Sequence, residues 1–382
     1  MPSQKPQEPK RSLWLAQDAR SVVVLDQTRL PHRFETVTLR TSADAARAIS
    51  DMIIRGAPLI GVTAAYGMAL AMAEDASDSN VGHAYNVLIA TRPTAVNLRW
   101  ALDLMRAHLS PLPQAQRREA AFLKAAEVAE HDVAANHALG LHGLQVLRRI
   151  ARRRNGEPVR IMTHCNAGRL AAVAWGTATA PMYLAHDAGI PIHVWVSETR
   201  PRNQGASLTA WELGDHGVPH TVVADNAAGH LLQRGLVDVV LVGADRVTRR
   251  GDVANKVGTY LKALAAHAHR VPFHVAFPMS TIDWTLDDGV RGIPIEQRSQ
   301  REVTHLTGTD ARGRVVEVLV TPEASPARND AFDVTPFHLV TGFITEAGTC
   351  DATRAGLRGL LKAQPNARLA AEPRARKLPP TK

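Results

Sequence analysis

Two side chains far apart in the sequence, a thiol and a carboxyl, have the most obvious capacity for chemistry. Cys165, one of only 2 cysteines, stands in "THCNAG", where the apolar run "VRIMTH" gives way to small residues. Asp245 stands in "GADR", directly after "DVVLVGA". A lone cysteine is most often a small buried hydrophobe, and an aspartate in a loop is most often a cap. If instead both enter one cleft walled by apolar side chains, they can divide proton donation and abstraction on a small substrate. The segment after Cys165 reads as a helix, and a helix N-terminus lowers the pKa of a thiol beside it.

A second kind of chemistry is written in "IIRGAPLIG". Arg55 precedes the small residues Gly56 and Ala57, and Pro58 suits the first turn of a helix whose leading amides are unpaired. Free amides, a helix dipole and a guanidinium together make an anion site, phosphate being its commonest occupant. "TRPTAVNL" repeats the composition, with Arg92 beside Pro93 at another helix start. No G-x-G-x-x-G follows the first strand of the second half, and no G-x-x-x-x-G-K-[ST] occurs anywhere. The 17 histidines are scattered, without H-E-x-x-H spacing. The reading therefore expects no cofactor and no metal.

These residues need a frame. After short strands in "SVVVLDQTRLPHRFETVTLRT", Ser42 is placed to cap a helix over "ADAARAISDMIIR". Three more helices are read in "PLIGVTAAYGMALAMAE", "TAVNLRWALDLMRAHL" and the long stretch beginning "QAQRREAAFLKAAEV". Beyond the helix-breaking Asn155, Gly156 and Pro158, strands and helices alternate from "VRIMTH" to "PFHVAFP". Helices are expected there over "RLAAVAWGTATAPMYLAHDAG" and "VANKVGTYLKALAAHAHR". This alternation predicts an α/β fold: a Rossmann-like parallel sheet preceded by a smaller, mostly helical domain with short strands. The expected divisions are a disordered tail at 1–12, an N-terminal domain at 13–154, a catalytic domain at 155–366 and a basic disordered tail at 367–382. Ligands of such sheets bind beyond the carboxyl ends of the strands. There stand Cys165 and Asn166, Ser197 to Arg200, Asp225, Asp245, and Met279 to Thr281.

Of the net charge of +9, most sits in the two Pro-rich tails, so the body is only mildly basic and a nucleic-acid partner is not expected. No run of about 18 uncharged apolar residues is read, so no membrane partner is expected either. The polar N-terminus and sparse cysteines fit a reducing cytoplasm.

The strings "IIRGAPLIG", "RPTAVNL", "THCNAG", "ETRPRNQGASLTAWEL", "GADRVTRRGDVANKVGTY", "STID" and "FDVTPFHLVTGFITE" occur in order between about Leu13 and Gly348. Together they resemble the methylthioribose-1-phosphate isomerase family, whose superfamily includes ribose-1,5-bisphosphate isomerases and regulatory subunits of a translation initiation exchange factor. The resemblance implies a cofactor-free aldose-ketose isomerisation of a small phosphorylated sugar, 5-methylthioribose 1-phosphate, in methionine salvage, by a homodimer. It implies catalytic roles for Asp245 as proton donor and Cys165 as its companion. It also implies substrate contacts from Arg55, Gly56, Ala57, Arg92, Gln204, Asn255 and Lys256. The alternatives are isomerisation of 5-deoxyribose 1-phosphate or ribose 1,5-bisphosphate, or a non-catalytic regulatory subunit. Ser197 stands where the family pattern has an aspartate before "ETRP".

Overall fold

The computed structural model describes residues 10–92 and 95–363. Lys10, Arg11 and Ser12, expected in a disordered tail, are fastened to the body. Lys10 pairs with Asp215 at 2.9 Å, Arg11 with Glu130 at 2.6 Å, and the Ser12 amide donates to the Val173 carbonyl. The remainder of that tail, and the whole of the expected C-terminal tail at 367–382, lie outside the described residues.

The chain opens with an antiparallel meander of β1 (Leu13–Leu15), β2 (Val22–Leu25) and β3 (Thr36–Leu39). Helix α1 (Ser42–Ser50) is capped by Thr41, not Ser42: the Thr41 hydroxyl accepts from the Asp44 amide while Asp44 accepts from the Thr41 amide. The helix also stops short of the expected Arg55, because Met52 adopts φ 56° and turns the chain aside. Helices α2 (Ala57–Glu74), α3 (Asp78–Thr91), α4 (Val96–Leu109) and α5 (Gln114–Ala151) complete this half. The sequence reading missed α3, although Val81, Ala84, Tyr85 and Leu88 bury one face at helical spacing and Ser77 caps it. By length and composition alone α2 could cross a membrane, with mean hydropathy 1.3 over 18 residues that end in Glu74. It is instead the core helix, buried from Ala57 through Met72 and packed on by α1, α3, α4 and α5.

The second half builds a seven-stranded sheet. Its first part runs β4 (Val159–His164), α6 (Ala180–Asp187), β5 (Ile192–Ser197), α7 (Ala210–His216), β6 (His220–Val223), α8 (Ala227–Gln233) and β7 (Val239–Val242). A small antiparallel excursion follows, β8 (Arg246–Thr248) and β9 (Val253–Lys256), before α9 (Thr259–Ala268) and β10 (Phe273–Ala276). "VANK" is therefore a strand where a helix was expected. An arm comes next: β11 (Ile282–Asp283), α10 (Gly289–Gly292), α11 (Arg301–Thr304), the hairpin β12 (His305–Thr309) and β13 (Val315–Leu319), and β14 (Phe332–Thr335). The chain then re-enters the sheet as β15 (Gly342–Thr345) and β16 (Gly348–Cys350), closed by α12 (Arg354–Ala363).

The sheet order is β16-β15-β10-β7-β4-β5-β6, parallel except for β16. From β4 the chain winds outward through β5 and β6, then returns to β7 on the other side of β4. The winding thus reverses between β4 and β7, the place where open α/β sheets leave a ligand crevice. Cys165 follows the first of these strands and Asp245 follows the second.

The stretch 169–179 is mostly not helical. Only Arg169–Ala171 forms a 3-10 turn, and α6 begins at Ala180. Gly168 bridges to Gly176, whose φ of 80° and lack of a side chain let the loop fold back, since a Cβ there would lie 2.1 Å from the Gly168 carbonyl carbon. The loop is tied to α5 by Asp132, which accepts the Val173 amide at 2.7 Å and the Asn136 side chain at 3.0 Å.

Burial pushes the Asp132 carboxyl up to about 7. A native pKa above the unfolded value gives stability that is full below about pH 4 and lost as pH rises toward 7. Asp132→Asn mimics the protonated form, so its melting temperature relative to the parent is expected to rise between pH 4.5 and 7.5. A constant difference across that range, measured by calorimetry, would show that Asp132 titrates normally.

Candidate active site

Cys165 leaves β4 in the left-handed region, φ 65°, an uncommon conformation for a side chain-bearing residue. Two hydrogen bonds hold it there. Its amide donates to the Thr199 hydroxyl at 2.8 Å, and the Thr209 hydroxyl donates to its carbonyl at 2.7 Å. Its thiol is buried and faces the cavity. No α-helix begins beside it, so the expected acidification by a helix N-terminus is absent. Burial pushes the thiol above its ordinary pKa, with Arg55 and Lys256 opposing that shift and Asp245 adding to it.

Across the switch point, the Asp245 amide donates to the Ala254 carbonyl at 2.9 Å, fixing the residue against β9. Its carboxyl is raised by burial, while Lys256, Arg55 and Arg92 pull it down. Lys256 ends β9 with its ammonium 4.7 Å from the centre of the Phe332 ring. Burial lowers that ammonium's pKa, and Cys165 and Asp245 oppose the shift. One cavity therefore contains a thiol, a carboxyl and an ammonium, each shifted toward its neutral form by loss of water, with the ammonium opposing the shift of the two acids and the two acids opposing that of the ammonium.

Arg55, Gly56 and Ala57 form the wall contributed by the first half. Gly56 caps α2 at φ 96°, and a Cβ on it would lie 2.4 Å from Ala171 Cα, so only glycine lets this helix start approach the Cys165 loop. Arg55 bridges the two halves: Nη2 donates to the Asn166 carbonyl at 2.6 Å and Nη1 to the Asn166 side-chain oxygen. Arg92 sits at the end of α3, paired with Glu296 at 3.2 Å. Pro93 lies outside the described residues.

All nine residues singled out in the sequence, Cys165, Asp245, Arg55, Gly56, Ala57, Arg92, Gln204, Asn255 and Lys256, line this one cavity. The Gln204 side-chain oxygen is buried without a hydrogen-bond partner among the described residues, and Asn255 is oriented by donating to Thr259 at 3.1 Å. Among the strand-edge residues, Cys165, Asn166 and Asp245 reach the cavity. Asp225 works beneath it: it accepts the Ser197 hydroxyl and the amides of Thr199 and Arg200. Ser197, where the family pattern has an aspartate, thus donates to a carboxylate that follows β6. Ser280 instead accepts from Asn97 at 3.0 Å.

Sequence reasoning missed Asn166 as an anchor, and Arg202, Arg298 and Phe332 as cavity walls. Arg202 was two positions from Gln204 and within a quoted motif. Arg298 carried no local signal; it is placed by Glu296 at 2.8 Å and Glu302 at 2.7 Å. Among the described residues, no group of three or more His, Cys, Asp or Glu side chains is arranged to hold a metal ion.

In a Cys350→Ser background, alkylation of Cys165 is expected to show a pH midpoint above that of an ordinary thiol. Lys256→Met, which removes a charge stabilising the thiolate, is expected to move it higher. A midpoint below the ordinary value would contradict the burial argument.

A family model described as the Initiation factor 2 subunit family matches residues 53–352. The methylthioribose-1-phosphate isomerase of Rhodospirillum centenum is 60% identical over 355 residues, spanning 93% of this chain and 95% of that relative. The protein of the same name from Sinorhizobium medicae is 59% identical over 350 residues, 91% of this chain and 96% of its own length. Among solved structures, the 5-methylthioribose 1-phosphate isomerase of Pyrococcus horikoshii superposes with a TM-score of 0.81 at 35% identity, covering 95% of this chain and 99% of that one. The translation initiation factor eIF-2B subunit delta from A. fulgidus gives 0.75 at 35% identity, covering 92% and 99%. With the family match spanning most of the chain and such identity over more than nine-tenths of it, the protein belongs to the initiation factor 2 subunit family, among its methylthioribose-1-phosphate isomerase members.

Proposed function

We propose that the cavity isomerises 5-methylthioribose 1-phosphate to 5-methylthioribulose 1-phosphate, a step of methionine salvage. The observation that carries this reading is the meeting of Cys165 and Asp245, from either side of the switch point, in a cavity that also holds Arg55, Arg92 and Lys256. In this reading Arg55, Arg92 and the start of α2 at Gly56 and Ala57 hold the phosphate, while Gln204, Asn255 and Lys256 orient the sugar hydroxyls.

The thiol and carboxyl act as a pair that shares one proton, and the thiolate with carboxylic acid is the reactive form. Asp245 gives its proton to the ring oxygen as the bond from that oxygen to C1 breaks. The Cys165 thiolate removes the C2 proton as the C1–C2 double bond forms, giving an enol whose C1 oxygen still carries the phosphate. The thiol returns a proton to C1, and the 2-hydroxyl proton passes to the Asp245 carboxylate as the ketone forms. Both groups end as they began, and the sugar has lost and gained no atoms. Lys256 and Arg55 stabilise the negative charge that passes through the cavity.

Among the lining residues, Arg298 is held by two carboxylates, Glu296 and Glu302, and Arg202 shares Glu302 with it, so these two guanidiniums carry more carboxylate than Arg92, which shares Glu296 alone. Apolar surface from Met52, Ile60 and Phe332 also lines the cavity. This favours an uncharged C5 substituent over a second phosphate. The family resemblance supports a homodimer, and the cysteine-poor composition supports a cytoplasmic location. We assign the N-terminal domain to 13–154 and the catalytic domain to 155–366.

The test is ketose formation by the purified protein from 5-methylthioribose 1-phosphate, 5-deoxyribose 1-phosphate and ribose 1,5-bisphosphate. The thiomethyl sugar is expected to be preferred, with kcat falling roughly 10²–10⁴-fold in Cys165→Ala and in Asp245→Asn. Preference for another sugar would overturn the substrate assignment, and no turnover of any would return the chain to a regulatory role. Deuterium at C2 is expected to exchange with solvent during turnover; its complete retention at C1 under conditions that exclude internal return through the thiol would instead indicate a hydride shift.

A further inference from the structure

We infer that Glu212 is a positioning residue for Arg55, setting the orientation of the Asn166 amide that anchors the guanidinium. The inference rests on the isomerase reading only in taking Arg55 as a phosphate ligand.

Glu212 lies on α7 with its side chain out of contact with solvent. One carboxylate oxygen accepts the Asn166 side-chain amide at 2.7 Å and the other accepts the Leu170 amide at 3.2 Å. An asparagine side chain has one donor end and one acceptor end. With its donor end held by Glu212, the oxygen of Asn166 can only face Arg55, where it accepts Nη1 while the main-chain carbonyl accepts Nη2 at 2.6 Å. The reversed amide would set a donor against the guanidinium and leave the carboxylate facing an acceptor.

The local geometry is built around this carboxylate. A Cβ at Gly168 would fall 1.4 Å from a Glu212 oxygen, so the loop closes over Glu212 only because residue 168 has no side chain. The nearby Arg169 is held by Asp215 at 2.6 Å, and no ion pair to Glu212 is present among the described residues. A polar group buried without a paired cation, here a carboxyl whose pKa burial pushes up to about 7, is costly where an apolar side chain would pack, which argues for a duty beyond packing. Thr209, one helical turn before Glu212, also accepts from Asn166 at 3.2 Å and donates to the Cys165 carbonyl. One stretch of helix thus sets both the thiol and the arginine.

Glu212→Gln keeps the shape but must fail one bond: an amide that accepts from Asn166 turns its own NH2 toward the Leu170 amide. The experiment measures calorimetric binding of inorganic phosphate, together with KM and kcat, in Glu212→Gln, Arg55→Ala and the double variant. Asn166→Ala, which cuts the same link from its other end, serves if Glu212→Gln does not fold. The single substitution is expected to weaken phosphate binding and raise KM about tenfold, with kcat changed less than about threefold. In the Arg55→Ala background it is expected to weaken binding no further. Unchanged phosphate binding in the single variant, or an equal loss with and without Arg55, would overturn the inference. Phosphate binding with this pattern but without sugar turnover would uphold the positioning role and contradict the isomerase reading.

Discussion

Taking a thiol, a carboxyl and an ammonium out of water into one cavity is the constraint on which the rest of this structure depends. Each group alone would shed its charge, because low-dielectric surroundings penalise the ionised form. Placed together, the cations and the acids moderate one another: Lys256 and Arg55 draw Cys165 and Asp245 back toward ionisation, and those two oppose the loss of charge from Lys256. A proton can move within such a set at little net cost, since the charge it leaves is met by one already in place.

The fold serves that constraint by bringing distant segments to one point. The parallel sheet supplies Cys165 and Asp245 because its winding reverses between β4 and β7. The small sheet of β8 and β9 carries Lys256 back over the same crevice. The helical half contributes one end of its core helix, with Arg55 and Gly56 pressed against the Cys165 loop through Asn166 and Ala171. That loop is fastened from the other side as well, by Asp132 of α5 and by Ser12 at the start of the described chain, both bonded to Val173. The halves are joined where the chemistry is, so a change in their packing changes the cavity.

How much of this the sequence discloses depends on the range of the interactions involved. The alternation of strands and helices is local, and it located the carboxyl edge where Cys165 and Asp245 stand. The meeting of all nine site residues followed from motifs read as a family resemblance, which local spacing alone could not have supplied. The helix expected after Cys165 failed because "RLAAVAWGTATA" has helical composition, while the Gly168 and Gly176 contact and the Asp132 bond stabilise a folded loop. "VANK" became a strand because β8 and β14 pair with it on both sides, a tertiary preference overriding a short local one. Arg298 and the role of Glu212, itself inside a quoted motif, were not read for a related reason: their places are set by Glu302 and Asn166, partners defined only once the chain has folded.

Burial raises the Asp245 carboxyl above its ordinary pKa against the pull of Lys256, Arg55 and Arg92, favouring the proton that the proposed donation to the sugar requires. Difference infrared spectroscopy of the parent against Asp245→Asn, followed across a pH titration, reads that proton directly. The account predicts a protonated-carboxyl band present in the parent, absent in the variant, and titrating above the usual carboxylate pKa. A difference spectrum showing Asp245 already ionised at or below that ordinary value would contradict it.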